Sequence, residues 1–296
     1  MSNIGYGQAP GAAGELIQGQ FPSGKNFLIS LPIEMWSKSH FNLKPDCENI
    51  VINQPNKNKV NRAVQLLLAL LGETNICGTL EIETTIPVGK GMASSTADIT
   101  AACRAVGNAL GYEITPDCIA SLTKLIEPSD GIMFPGLVCF DHIQCELIET
   151  LGYPPPMKIL ILDFGEIVDT LSFNKLPKNY TFNELETLQK AYQLTKTGIQ
   201  TQNSALLGKA GLISARVNQR LHYKPELENI ITLIMDMGGL GLCIGHSGTV
   251  INALFDPDAD TIQAEKTLRS HYPKDINIYH TTVITQNKIF KGKYES

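Results

Sequence analysis

Apolar residues recur along the chain with two spacings, and each spacing predicts a different element. In 58–71 the apolar side chains stand three or four positions apart, which predicts a helix. In 78–86 apolar and polar positions alternate, which predicts a half-buried strand. Helical spacing returns in the alanine-rich segment 96–110. The intervening residues 87–95 are rich in glycine and serine, so the predicted order is strand, glycine loop, helix.

The rest of the chain predicts an α+β layout with mixed or antiparallel sheets. Three prolines at 154–156 form the best candidate for a domain boundary. The expected strands lie at 27–35, 47–54, 136–140, 157–162, 249–255 and 276–285, and the further helices at 116–125, 182–197, 203–219, 225–237 and 258–270.

The glycine loop carries the strongest chemical signal. Triphosphates need several converging backbone N–H donors, which small residues and a helix N-terminus supply together. Lys90 adds a cation, and Ser94 and Ser95 add hydroxyls for phosphate or Mg²⁺. An alternative stays open, because Ser95 and Asp98 have the spacing of a helix capping box. The loop lacks the Walker A pattern, and the later glycines at 238–248 match neither a dinucleotide fingerprint nor a nucleophile elbow.

Composition and charge narrow the function classes. The 296 residues are 43% apolar and 18% charged, with a net charge of −5 and no basic cluster, so neither nucleic acid nor a membrane surface is expected as a partner. No signal peptide or membrane-spanning segment is expected, which favours a cytoplasmic location. The seven cysteines are scattered without a CxxC pair, which argues against a disulfide framework or a zinc site.

Three segments in order resemble the GHMP kinases. The first is Ala9-Pro10-Gly11 with Gly14-Glu15-Leu16 and Gln18-Gly19, like the family's N-terminal segment. The second, Pro87-x3-Gly91-Met92-Ala93-Ser94-Ser95-Thr96, is similar to the family's ATP loop almost position for position. The third, Gly241–Gly248, stands in the place of the C-terminal glycine motif. Within the family, the chain most resembles the PduX-type L-threonine kinases of cobalamin biosynthesis, through the segments Gly14–Gly19, Gly89–Asp98, Glu127-Pro-Ser-Asp-Gly131 and His246-Ser-Gly248.

The resemblance implies a fold, a reaction and cofactors. It implies a two-domain GHMP kinase fold, with a ribosomal protein S5 domain 2-like N-terminal ATP-binding part at 1–155 and a ferredoxin-like C-terminal part at 156–296. It implies ATP and Mg²⁺ as cofactors and a hydroxy amino acid as the small-molecule substrate, with O-phospho-L-threonine as the product. The oligomeric state stays open, with a homodimer as one candidate, and so does the choice between Mg²⁺ and Mn²⁺.

The resemblance also assigns roles to residues. Asp130 is expected to be the catalytic base or to orient the hydroxyl, and Glu127 to complete the metal site with Ser95; these two acidic roles could be exchanged. Both acids could instead be ordinary turn residues beside proline and glycine. The ATP loop would consist of Pro87, Val88, Gly89, Lys90, Gly91, Met92, Ala93, Ser94, Ser95 and Thr96. Substrate binding is expected of Glu15, Gln18, His246 and Ser247, for each of which a structural role is the alternative.

Two departures from the family pattern affect the substrate side. Ala12 stands where the family often has a lysine, so a cation is missing there or comes from elsewhere. The third segment is poorer in glycine than is usual, which indicates a different substrate pocket. A kinase for another hydroxyl substrate, such as homoserine, and a catalytically silent ATP-binding sensor therefore remain alternatives. The presence of Ser95, Glu127 and Asp130 argues against the sensor.

Overall fold

The computed structural model describes residues 3–45, 47–165, 179–246, 248–272 and 276–286. Within these ranges the chain forms ten strands and seven helices. They are β1 Ile4–Gln20, β2 Asn26–Leu43, β3 Ile50–Ile52, α1 Asn58–Leu71, β4 Gly78–Thr84, α2 Ser94–Leu110, α3 Pro116–Lys124, β5 Leu137–Asp141, β6 Glu146–Gly152, β7 Lys158–Asp163, α4 Phe182–Gln200, α5 Ser204–Asn218, α6 Leu227–Asp236, β8 Gly241–Ile244, β9 Ile251–Phe255, α7 Thr261–His271 and β10 Asn277–Thr282.

The strands form one ten-stranded sheet in the order β10-β7-β9-β8-β1-β2-β4-β3, with β5 and β6 branching from β2. Among the described residues, the strand pairings are antiparallel except that between β3 and β4. The α+β class with a mixed sheet is therefore confirmed. None of the described helices combines the length and the apolar character that crossing a bilayer would require.

The two halves of the chain meet in the middle of this sheet. Strands β7–β10 lie on one side and β1–β4 on the other, and Glu15 of β1 pairs with Ile244 of β8 at the junction. One hydrophobic cluster surrounds the junction, and two further clusters lie beneath the helices of the first and second halves. The two-part arrangement agrees with the expected fold, whereas the boundary after residue 155 stays a prediction.

Most predicted elements are confirmed, and the misses have physical causes. Helix α1 has the predicted bounds, and α2 begins two residues earlier than predicted, at Ser94. Three strands were not predicted: β1, β6 and β8. Strands β1 and β8 are buried on both faces over most of their length, so they lack the alternation of a half-exposed strand.

One expectation about the cysteines was wrong. Cys47 and Cys77 form a disulfide with a Cα–Cα distance of 5.6 Å, closing a separation of 30 residues. The disulfide joins the loop before β3 to the residue before β4. The spacing of the cysteines in sequence did not suggest this bond, because the parallel pairing of β3 and β4 brings residues together that are distant in sequence. Cys103, Cys139, Cys145 and Cys243 are buried thiols, in agreement with the sequence-based interpretation.

Candidate active site

The glycine loop lies against the C-terminal glycine segment, backbone to backbone. A Cβ on Gly248 would lie 1.9 Å from the Lys90 carbonyl oxygen, and one on Gly91 would lie 2.9 Å from the Gly248 Cα. Gly91 also has a φ of +78°, which residues with a side chain rarely adopt. Both positions therefore require glycine, and the second and third sequence motifs form one surface.

The first motif joins this surface through a bulged stretch of β1. Its register against β2 shifts between Pro10 and Gly11 and again around Glu15. Bulges of this kind re-aim side chains and often lie beside active sites. The Ala12 N–H donates to the Met92 carbonyl at 3.0 Å, which fixes the first motif to the ATP loop. The structure thus brings together three segments that begin at residues 9, 87 and 241 of the sequence.

The ATP-loop side chains divide into two groups. Met92 and Thr96 are buried, whereas Val88 is 64% exposed. Ala93 precedes α2 with a left-handed φ of +59°. The tight turn at Ala93 brings the free N–H groups of the first turn of α2 to the end of the loop.

Lys90 does not extend freely from the loop. Its Nζ lies 3.0 Å from Asp163 Oδ1 at the end of β7, and both side chains are largely buried. Asp163 also accepts a hydrogen bond from the Gly165 N–H, as expected of a turn cap. The ion pair to Lys90 was not foreseen, and it links the ATP loop to the second half of the chain.

Ser95 and Glu127 are brought into contact. Ser95 Oγ donates to Glu127 Oε1 at 2.5 Å, and Lys59 Nζ lies 2.5 Å from Glu127 Oε2. Glu127 comes from the turn after α3 and its side chain is only 5% exposed. A buried carboxylate and a hydroxyl at the start of α2 form a paired oxygen site next to the phosphate loop.

The capping box expected as an alternative for Ser95 and Asp98 is not formed. The N-cap of α2 is Ala93, and no side chain caps the helix. Asp98 instead accepts from Ser37 Oγ at 2.6 Å and pairs with Lys57 Nζ at 2.5 Å. Ser95 is therefore not a helix-capping residue, and its hydroxyl donates to Glu127 instead.

Asp130 lies beside Glu15, within reach of its carboxyl group. Two carboxyls can share a hydrogen bond only when one of them holds a proton. Burial, together with the charge of Glu127, raises the pKa of Asp130 from 3.8 to about 6, although the bond to Glu15 lowers it. Glu15 also accepts from Ser30 Oγ at 2.7 Å. The pair thus combines a carboxyl that titrates near neutrality with a neighbour held in place by the sheet.

Gln18 and His246 are likewise brought together. His246 Nδ1 contacts Gln18 Oε1, and the ring of His142 lies edge-on to the His246 ring with centroids 4.7 Å apart. The His142 carbonyl accepts from the Ser129 N–H, so this chain of contacts reaches the turn that carries Asp130. Ser247 lies outside the described residues.

Ser95 and Glu127 fit a hard divalent cation. Among the described residues, no group of three His, Cys, Asp or Glu side chains could hold a metal ion. Mg²⁺ commonly takes only one or two protein oxygens and completes its shell with phosphate oxygens and water. One hydroxyl and one carboxylate oxygen beside a phosphate loop match that donor set.

Several polar residues at the site were missed from sequence. Lys57 and Lys59 lie at the start of α1, whose first turn contains no acidic residue. Cations are unfavourable at a helix N-terminus, so two lysines there were a signal that carboxylates approach from elsewhere. Lys224 is also buried, and its Nζ donates to the Gly248 carbonyl at 2.7 Å, with His222 Nε2 2.9 Å from the same oxygen.

Comparisons with known proteins place this geometry in a family. Residues 58–134 match the model of the GHMP kinases N terminal domain. The chain is 31% identical over 279 residues to the L-threonine kinase of Salmonella typhimurium, covering 92% of each protein. It is 29% identical to the L-threonine kinase of Citrobacter freundii, covering 90% of this chain and 94% of that protein.

The same fold occurs among solved structures. Homoserine kinase from Cytophaga hutchinsonii superposes with a TM-score of 0.73 over 97% of this chain and 96% of its own, at 17% sequence identity. At that identity the likeness concerns the fold alone. The match covers both halves of the chain.

Proposed function

The chain belongs to the GHMP kinase family, and we propose that it transfers the γ-phosphoryl group of ATP to the hydroxyl of L-threonine, giving O-phospho-L-threonine and ADP. The observation that carries the proposal is the identity of 31% over 92% of the chain to an L-threonine kinase. The contacts at Ser95–Glu127 and Glu15–Asp130 support it, because they supply the two kinds of group that phosphoryl transfer requires.

The phosphate side of the reaction is assigned to the loop from Pro87 to Thr96. Its backbone N–H groups and the N-terminus of α2 would hold the β- and γ-phosphates. Ser95 and Glu127 would hold Mg²⁺, which when bound would neutralise charge on the phosphate oxygens. Lys90 acts here through Asp163 by fixing the loop rather than by reaching the phosphates.

The acceptor side is assigned to Asp130. With a pKa of about 6, its carboxylate is ionised above neutrality and can accept the proton of the threonine hydroxyl as the oxygen attacks phosphorus. Glu15 positions Asp130 and, with it, offers negative charge to the substrate ammonium. Gln18 and His246 would line the same pocket, where their mutual contact fixes both side chains.

The test is the release of ADP from Mg-ATP with L-threonine, L-serine, L-homoserine and mevalonate offered separately. The proposal expects a large preference for L-threonine in kcat/KM. Turnover with L-homoserine instead would keep the kinase and replace the substrate. ATP binding without turnover of any of these alcohols would support the silent sensor.

The wider setting of the reaction extends the proposal. By resemblance, the product would supply the aminopropanol linker of the cobalamin side chain, and the enzyme would act in the cytoplasm, with a homodimer as a candidate assembly. A reducing cytoplasm disfavours disulfides. If the enzyme acts in the cytoplasm, we expect Cys47 and Cys77 to be thiols in the cell. Thiol trapping in intact cells followed by mass spectrometry would test this.

A further inference from the structure

Both oxygens of Glu127 have partners within the protein. Ser95 Oγ donates to Oε1, and the Lys59 ammonium lies on Oε2, each at 2.5 Å. A buried carboxylate requires such a counter-charge, since an uncompensated charge at this depth would be costly. Lys59 therefore occupies a position beside the proposed metal ligands.

Lys59 is held much less firmly than a buried lysine. Its side chain is 47% exposed, whereas that of Glu127 is 5% exposed. Its neighbour Lys57, which pairs with Asp98, is only 14% exposed. The Lys59 ammonium can move away from Glu127 into water at little cost in free energy, because half-exposed ion pairs contribute little to stability.

The helix that carries Lys59 adds to the positive potential at this place. Lys59 is the second residue of α1, and the first turn of α1 contains no acidic residue. The N-terminus of a helix carries a partial positive charge. A lysine at this position gains nothing from its own helix, so the carboxylate of Glu127 is what holds it.

We propose that Lys59 is a displaceable cation, which neutralises Glu127 in the metal-free enzyme and leaves when a divalent metal binds with the nucleotide. Its competition for Glu127 weakens metal binding and lets the site stay folded when empty of metal. This inference rests on the proposed role of Ser95 and Glu127 as metal ligands. Lys59 is thus a positioning residue and makes no contact with the reacting atoms.

A rival role for Lys59 predicts the opposite sign. If its ammonium bound a phosphate of the nucleotide, removing it would weaken the binding of the metal–nucleotide complex. Competition for Glu127 instead predicts that removing it strengthens metal binding. One binding measurement therefore separates the two roles.

The experiment measures free Mn²⁺ by electron paramagnetic resonance during titration into the full-length protein saturated with a non-hydrolysable ATP analogue. Lys59→Met is expected to lower the Kd for Mn²⁺ by roughly two- to fivefold, the weight of a half-exposed ion pair. Arg62→Met is the matched control, because Arg62 is also exposed on α1 and its loss changes the net charge equally. Lys59→Arg, which keeps the cation, should bind Mn²⁺ like the wild type.

An unchanged or raised Kd in Lys59→Met would overturn the inference, and so would an equal fall in Arg62→Met. Circular dichroism of each variant establishes that α1 is intact. The outcome is distinct from that of the kinase assay. Tighter Mn²⁺ binding without threonine turnover would contradict only the proposed substrate, whereas threonine turnover with unchanged Mn²⁺ binding would contradict only the role of Lys59.

Discussion

Two clusters of the same composition lie at the start of α1 and α2. Each contains one lysine, one carboxylate and one serine: Lys57, Asp98 and Ser37 in the first cluster, and Lys59, Glu127 and Ser95 in the second. In both, the carboxylate accepts from the hydroxyl with one oxygen and pairs with the ammonium through the other, at 2.5 to 2.6 Å.

The clusters differ in burial and in their neighbours. In the first cluster Lys57 is 14% exposed and the serine belongs to β2, so the cluster fastens the start of α1 to the sheet and α2. In the second, Lys59 is 47% exposed and the serine belongs to the ATP loop. The same three groups form a structural tie where all are enclosed, and we propose that they form a ligand site where one of them can leave.

The largest effect is expected at a third carboxylate, Asp130. Unlike Asp98 and Glu127, Asp130 lies beside another carboxyl group, that of Glu15. Asp130→Asn should lower kcat by about 100- to 10,000-fold with little change in the KM for ATP, because an amide cannot accept the hydroxyl proton. Steady-state kinetics at saturating Mg-ATP would measure this. A wild-type kcat would move the base assignment to Glu127.

Asp130→Asn should also change the pH dependence of stability. The folded protein holds the Asp130 proton up to a pKa of about 6, against 3.8 ordinarily, so stability is lost as the pH rises through that window. The variant should therefore exceed the wild type at pH 8 by on the order of 1–3 kcal/mol and approach it near pH 4. Urea unfolding at the two pH values measures this, and a gap that is equal at both would contradict the burial of Asp130.

The carboxylates of the two clusters should respond in opposite ways. Glu127→Gln should lower kcat/KM by about 100-fold while changing the free energy of unfolding by less than about 1 kcal/mol, because its lysine can turn into water. Asp98→Asn should destabilise by about 2 kcal/mol, because the enclosed Lys57 ammonium loses its counter-charge. Paired urea melts and kinetics decide, and two variants with the same profile would erase the distinction.

The serines give a smaller version of the same contrast. Ser95→Ala should lower kcat/KM with Mg-ATP by at least tenfold, roughly 1.4 kcal/mol. Ser37→Ala should leave the KM for Mg-ATP unchanged and cost about 1 kcal/mol of stability. An unchanged kcat/KM in Ser95→Ala would remove Ser95 from the site.

The smallest expected effect is the change in the free energy of unfolding when the exposed Lys59 is replaced. Lys59→Met should cost about 1 kcal/mol or less, because Glu127 loses a half-exposed counter-charge, whereas Lys57→Met should cost about 2 kcal/mol or more. Thermal melts of the two variants side by side measure the difference. An equal loss would mean that Lys59 is as structural as Lys57 and cannot serve as a displaceable cation.

The sequence predicted the parts of the site that are contiguous. The strand, glycine loop and helix around 87–95 are encoded by local spacing, and α1 was predicted to the residue. Strand β1 was missed as an element although its motif was recognised, because a bulged strand buried on both faces shows no period of two.

The charged pairs were not predictable from spacing. Lys59 and Glu127 are 68 residues apart, and Lys57 and Asp98 are 41 residues apart. Ser95 and Asp98 had the spacing of a capping box, and only tertiary packing sent their side chains to different partners. The capping box did not form, because the buried Asp98 carboxylate makes a stronger, charge-assisted hydrogen bond with Lys57.

In the proposed reaction the γ-phosphoryl group of ATP is transferred to L-threonine. The most direct measurement uses ATP labelled with ¹⁸O in the γ-phosphoryl group and follows the products by mass spectrometry and ³¹P nuclear magnetic resonance. We expect labelled O-phospho-L-threonine in equal amount to ADP, and about 100-fold less or lower with Asp130→Asn over the same time. Label found only in inorganic phosphate, or in the phosphate of a different alcohol, would contradict it.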